Sequence, residues 1–215
     1  MDEENTENAE NTENTENTPN SSNRVRLVLF CIALILVGIS ALILYLLFRP
    51  SKPYFSVASV WVYALTNNVS SSQSSNLLCT SMQFNFVLNN PNDRVGIFYD
   101  RLSVSVYYHN EPIAPPVALP SIFQKPSETG ALSQALGAPI VPVSEDAVTQ
   151  LTLDQANGVV GLKVVVLGQV KYKSTLYKTG WSMLYVTCDL VVGLKKGGTS
   201  TTVPLLSNPE CLVET

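Results

Sequence analysis

The chain has 215 residues and a formal net charge of −4, unevenly spread: residues 1–23 hold −7, residues 24–49 hold +3, and residues 50–215 balance ten Lys/Arg against ten Asp/Glu. A neutral stretch of 166 residues buries one core and is too short to argue for two domains. Without a basic surplus it also excludes a nucleic-acid partner held by phosphate neutralisation, and the long apolar run beginning at Leu27 excludes a soluble cytosolic protein.

Residues 1–23 repeat Asn-Thr-Glu from Asn11 through Glu16 and carry no apolar residue larger than Ala9 after Met1. Such a composition buries too little surface to offset the entropy of ordering. A disordered acidic tail is expected, acting as a solubilising leader or as an interaction or phosphorylation segment. Asp2 stands where myristoylation needs Gly.

Residues 24–49 read as a transmembrane signal anchor. Leu27 to Phe48 is uncharged, and 22 helical residues at about 1.5 Å each reach about 33 Å, enough to cross a hydrocarbon core. The run ends in Leu-Leu-Phe-Arg-Pro with no Ala-x-Ala site, so cleavage is not expected. Arg24 and Arg26 on one side are matched by Arg49 and Lys52 on the other, leaving the positive-inside rule tied. The short tail and long following domain then favour a cytoplasmic N-terminus and an exported C-terminal domain. Asn68-Val69-Ser70 gives a glycosylation acceptor at Asn68 on that side; the other acceptor, Asn20-Ser21-Ser22, adjoins the anchor on the opposite side.

Beyond Pro53 the apolar period becomes two. Phe84, Phe86 and Leu88 alternate with polar residues; so do Leu102, Val104, Val106 and Tyr108; Leu162, Val164, Val166, Val170 and Tyr172; and Leu184, Val186, Cys188, Leu190 and Val192. These are half-buried strands. The apolar parity flips near Asp100, from Val95, Ile97 and Tyr99 to the even-numbered set, which predicts a bulge. Strands separated by Pro, Gly, Asn and Ser predict an all-β fold for residues 50–215: a single antiparallel β-sandwich or barrel, with no strongly helical segment after Phe48. The proline-rich stretch from Pro112 to about Val143 reads as a crossing loop, with a short helical turn near Gly130 to Leu136.

Three cysteines fall in this domain, Cys79, Cys188 and Cys211, so one disulfide and one leftover thiol are allowed. A loop of about Leu194 to Asn208 between the last two strands brings Cys188 and Cys211 close to opposition. They are the expected pair if the compartment is oxidising; two reduced, buried thiols are the alternative.

The block Leu88-Asn89-Asn90-Pro91-Asn92-Asp93-Arg94-Val95-Gly96-Ile97-Phe98-Tyr99-Asp100 resembles the Asn-Pro-Asn and Ile-x-Tyr-Tyr-Asp block of the plant harpin-induced and non-race-specific-disease-resistance-like membrane proteins. These are built on the late-embryogenesis-abundant group 2 domain. Pro120-Ser121-Ile122-Phe123-Gln124, the strand Leu162 to Lys173, and the late Cys188 and Cys211-x-Val213 fit in order. Phe98 stands where the family often has Tyr, and the acidic leader is not a general family feature. The resemblance implies a β-sandwich anchored in the plasma membrane and a role in defence or stress responses; it does not imply an enzyme. On their own chemistry, Asn90, Pro91 and Asn92 read as a structural turn between strands.

No nucleophile elbow, nucleotide loop or zinc motif occurs, and the single histidine, His109, falls on a polar strand face. No catalytic residue, cofactor or metal is expected, although Asp100, Asp154 and Asp189 are free to converge in space. Lys163, Lys171 and Lys173 share the odd face of one strand, a basic stripe that fits anionic lipid or acidic cell-wall polysaccharide, or else protects a strand edge. The expected partners are the lipid bilayer through residues 27–48 and a protein, lipid or polysaccharide on the domain. Three roles stay open on the sequence: a binding or adhesion module in defence, a dehydration protein shielding membranes, and a lipid-carrying sandwich.

Overall fold

The computed structural model describes residues 21–67, 76–175, 177–194, 201–203, 206 and 210–215. Asn68 and the acidic tail through residue 20 lie outside the described residues. The chain divides into two units, one ending at Leu47 and the other running from Phe48 to Thr215.

In the first unit a single helix, α1 (Ser21–Phe48), contains the whole uncharged run. Its apolar side chains from Leu27 to Tyr45 are exposed. The helix is long and apolar enough to cross a bilayer.

The second unit is a sandwich of two antiparallel sheets, built from β1 (Tyr54–Asn67), β2 (Leu77–Asn89), β3 (Val95–Tyr108), β4 (Glu111–Ala118), β5 (Ile122–Gln124), β6 (Thr129–Pro142), β7 (Val159–Ser174), β8 (Ser182–Gly193), β9 (Thr201–Val203) and β10 (Leu212–Glu214). One sheet runs β6-β2-β1-β9 and the other β10-β8-β7-β3-β4, with β5 sharing the outer edge of β3. The alternating residues read from the sequence are the ones buried between the sheets: Phe84, Phe86 and Leu88 face Val104, Val106, Val164 and Leu184 across the core. The parity flip near Asp100 is a register shift of β3 against β7 between Asp100 and Ser103, where Arg101 takes a left-handed backbone with φ 51°.

The proline-rich stretch is not a loop. It forms β4, β5 and β6, and the expected helical turn is extended chain in which Gly130 faces Leu88 and Leu136 faces Met82. Proline lacks the donor that a central strand needs, but β4 and β6 are sheet edges. Pro112, Pro115, Pro116, Pro139 and Pro142 are therefore tolerated there. Within β6, Gly137 has φ 150° and approaches the Thr80 carbonyl so closely that there is no room for a Cβ.

A helix does occur after Phe48. α2 (Glu145–Asn157) is started by Ser144, whose hydroxyl accepts from the Ala147 amide at 3.1 Å, and ended by Gly158 at φ 76°. Only Ala147 and Leu151 are buried, so its apolar stripe is too thin to stand out as helical spacing. The Tyr108 hydroxyl donates to Asp154 at 2.8 Å and ties α2 to β3.

Candidate functional site

The end of the sandwich at which the chain enters is organised by the Asn90-Pro91-Asn92 turn. Asn90 is fully buried; its Nδ2 donates to the carbonyls of Val95 and Lys125 at 2.8 and 2.9 Å, and its Oδ1 accepts from both the backbone amide and Nδ2 of Asn92. Asn92 in turn clamps Ser51, accepting from its amide at 2.6 Å and donating to its carbonyl at 2.9 Å. These bonds knit the entering segment, the β2–β3 turn and the β5–β6 turn into one piece. Every polar atom of the Asn90 side chain is engaged inside the fold, which is what a structural turn requires.

Two buried side chains that the sequence pattern did not single out fasten one sheet to the other. Gln124 on β5 accepts from the Tyr99 hydroxyl at 2.9 Å and donates to the Leu88 carbonyl of the opposite sheet at 2.9 Å. Burial pushes the Tyr99 phenol far above its ordinary pKa. Thr80 on β2 donates to the Ile113 carbonyl of β4 at 2.7 Å and accepts from the Ala138 amide of β6. Gln and Thr are common surface residues; Thr80 is signalled by sitting in phase with its buried neighbours Leu78 and Met82, and Gln124 by closing the family-like block Pro120-Ser121-Ile122-Phe123-Gln124.

The C-terminal segment closes the other seam. β9 pairs with β1 in one sheet while β10 pairs with β8 in the other, so the connection after β8 crosses between sheets rather than forming a plain loop. Leu212 faces Thr187, which brings Cys211 against Cys188, and the two are disulfide-bonded with Cα atoms 4.3 Å apart. The Cys211 amide also donates to the Phe55 carbonyl of β1 at 3.0 Å. Cys79 is a half-buried free thiol on β2.

The structure separates the three lysines of the basic stripe. Lys163 pairs with Asp189 at 3.9 Å, eight residues and about 26 Å along β7 from Lys171. Lys171 and Lys173 instead lie at the chain-entry end, with Lys171 over the ring of Trp181 at 5.4 Å and Lys173 over Phe98 at 5.9 Å. Phe98 packs on the exposed Phe123 at 4.3 Å, and Lys178 is bridged to Lys173 through the backbone. Sequence reasoning missed Trp181 as part of this group because it sits in an irregular connection with no periodicity.

The three aspartates free to converge do not. Asp100 accepts from Ser121 at 2.6 Å, a bond that holds its carboxyl below the usual range, Asp154 accepts from Tyr108, and Asp189 meets Lys163. His109 is exposed at φ 46° beside a shallow groove of about 480 Å³. Its ring packs on Tyr108.

A family model described as late embryogenesis abundant protein matches residues 85–188. NDR1/HIN1-like protein 1 of Arabidopsis thaliana is 31% identical over 159 residues, covering 74% of this chain and 75% of its own. NDR1/HIN1-like protein 12 of the same plant is 31% identical over 161 residues, with 75% and 74% covered. NDR1/HIN1-like protein 26 is 28% identical over 165 residues, with 77% and 75% covered.

Proposed function

The chain belongs to the NDR1/HIN1-like family of late embryogenesis abundant proteins, a membership that implies a plant stress or defence role, and from that premise we propose that it is a membrane-anchored, non-enzymatic binding or adhesion module. In this reading residues 1–23 form a cytoplasmic tail, residues 24–49 a single-pass anchor in the plasma membrane, and residues 50–215 an extracellular β-sandwich glycosylated at Asn68.

The observation that carries the reading is the Cys188–Cys211 disulfide at the seam of the domain. Disulfides persist where the compartment is oxidising, which for a domain following an uncharged spanning helix is the far side of the membrane. Phe84, Tyr99, Leu102 and Leu184, each at most 1% exposed, pack between the sheets. A plant line lacking the protein, challenged separately with pathogen and with water loss, tests the role. Rescue of a pathogen phenotype by the full chain and not by residues 1–53 alone is expected. A dehydration phenotype alone favours membrane shielding, and full rescue by residues 1–53 refutes a role for the domain.

A further inference from the structure

We propose that the chain-entry end of the sandwich, centred on Lys171, Lys173, Lys178 and Trp181, docks on anionic headgroups of the bilayer that the helix spans. The proposal rests on the membrane-anchor reading above and is independent of which compartment the domain faces.

Charge supplies the first argument. Among the described residues the ion pairs are Arg101 with Asp100 and Lys163 with Asp189, so no described carboxylate stands within 4.0 Å of Lys171, Lys173 or Lys178. Asp93 accepts from the Ser127 hydroxyl and Glu128 from the Lys125 amide, and neither is ion-paired with these lysines. Glu214, on β10, faces Tyr185. Three lysines in close sequence with no carboxylate partner among the described residues form a local positive patch on a domain that is neutral overall.

Aromatic exposure supplies the second. Trp181, 48% exposed, lies under Lys171, and Phe123, 44% exposed, packs on Phe98, the ring that Lys173 covers. With the Lys171 ammonium over the exposed Trp181 ring, charge and aromatic surface are presented together, the combination that suits a headgroup interface.

Reach supplies the third. Five residues, 49–53, separate the last residue of α1 from the first of β1, a link of about 20 Å when fully extended. Ser51 within it is clamped to Asn92, and Lys173 and Lys178 belong to this same end of the sandwich, since Ser174 faces Val95 directly after the Asn92 turn. A patch tethered this near a surface meets it at high effective concentration, so weak contacts suffice. An acidic polysaccharide shares the charge but not this tether, which is why the bilayer is the occupant favoured.

The test uses the full chain with Trp61→Phe, so that Trp181 is the remaining tryptophan, reconstituted in vesicles carrying a headgroup-level nitroxide. Quenching of Trp181 is compared between pure phosphatidylcholine and vesicles rich in phosphatidylserine. Stronger quenching in the acidic vesicles, abolished by high salt, is expected. Each lysine at an anionic surface shifts the docked ratio about fivefold, so Lys171→Glu/Lys173→Glu/Lys178→Glu, which also adds three repelled charges, lowers it by at least about 100-fold. The corresponding triple Arg variant retains quenching, and Lys163→Glu leaves it unchanged; together they separate lost charge from lost fold. Equal quenching in both lipids, or quenching that survives the triple Glu change, overturns the proposal. So does a Trp181 emission shift with soluble polygalacturonate when acidic lipid produces none. Flotation of the chain with both vesicle types is read in parallel: failure to float overturns the anchor, whereas flotation without lipid-dependent quenching overturns only the docking.

Discussion

Replacing Asn90 by Ala removes four hydrogen bonds at a position fully withdrawn from water. At about 1 kcal/mol net for each, the loss is about 4 kcal/mol, a large part of the ~5–15 kcal/mol that holds a domain folded. For a unit of this size about 2–4 °C of melting temperature accompanies each kcal/mol, so a drop of roughly 8–16 °C is expected. The assay is thermal unfolding of the full chain in detergent micelles, followed by near-ultraviolet circular dichroism. That signal reports the packing of sandwich aromatics such as Phe84 and Tyr99 and is separable from the helical far-ultraviolet band. Asn90→Asp sharpens the test. It keeps the oxygen that accepts both bonds from Asn92 but replaces the donor that serves Val95 and Lys125 with a carboxylate oxygen facing two carbonyl oxygens. That repulsion raises the folded-state pKa of the new carboxyl above its unfolded value, so the penalty is full at neutral pH and shrinks as pH falls through the folded-state pKa. A melting temperature for Asn90→Ala within about 2 °C of the parent, or an Asp variant as stable as Asn at neutral pH, would refute the reasoning that this turn is a structural knot.

Breaking the Cys188–Cys211 link with Cys188→Ser/Cys211→Ser frees a closure spanning 23 residues, worth about 3 kcal/mol by chain entropy. Hydrogen exchange at Leu212–Glu214 is expected to accelerate before exchange in β2 does, and unchanged protection of β10 would contradict its dependence on the link. Gly137→Ala drives a methyl into the Thr80 carbonyl and is expected to weaken β2–β6 pairing by several kcal/mol, as an overpacked backbone contact does; a neutral effect on urea midpoint speaks against the described register. Tyr99, Tyr108 and Tyr172 all have phenols raised above their ordinary pKa, chiefly by burial. Their stabilisation is complete below about pH 10 and lost as pH rises toward the folded-state values. Alkaline titration by phenolate absorbance is therefore expected to show these three ionising together with unfolding; ionisation at the ordinary value in a still-folded domain excludes the described burial.

The sheet core was legible because burial between two sheets forces a period of two, and Phe84 to Leu88, Leu102 to Tyr108 and Leu184 to Val192 each keep it. Even the bulge at Arg101 was visible as a parity change. What escaped was structure that periodicity does not encode. β4 and β6 carry prolines that mark loops in most contexts, and only their place at sheet edges makes them strands. α2 hides because two buried residues, Ala147 and Leu151, leave no stripe, although Ser144-Glu145-Asp146 and the closing Asn157-Gly158 were available as start and stop signals. The basic stripe shows the same limit from the other side: period two puts Lys163, Lys171 and Lys173 on one face, but cross-strand register is what sets Asp189 opposite the first, and the β7–β8 connection is what sets Trp181 beside the second.

The central claim, a disulfide-closed sandwich carried outside the cytoplasm by one uncleaved anchor, is tested most directly by protease protection of a C-terminal tag in sealed microsomes. The glycosidase mobility shift at Asn68 is read from the same gel. Protection of the tag together with a shift that Asn68→Gln abolishes is the predicted result. Digestion of the tag in intact vesicles, with no glycan at Asn68, would contradict the account and place the domain in the reducing cytoplasm.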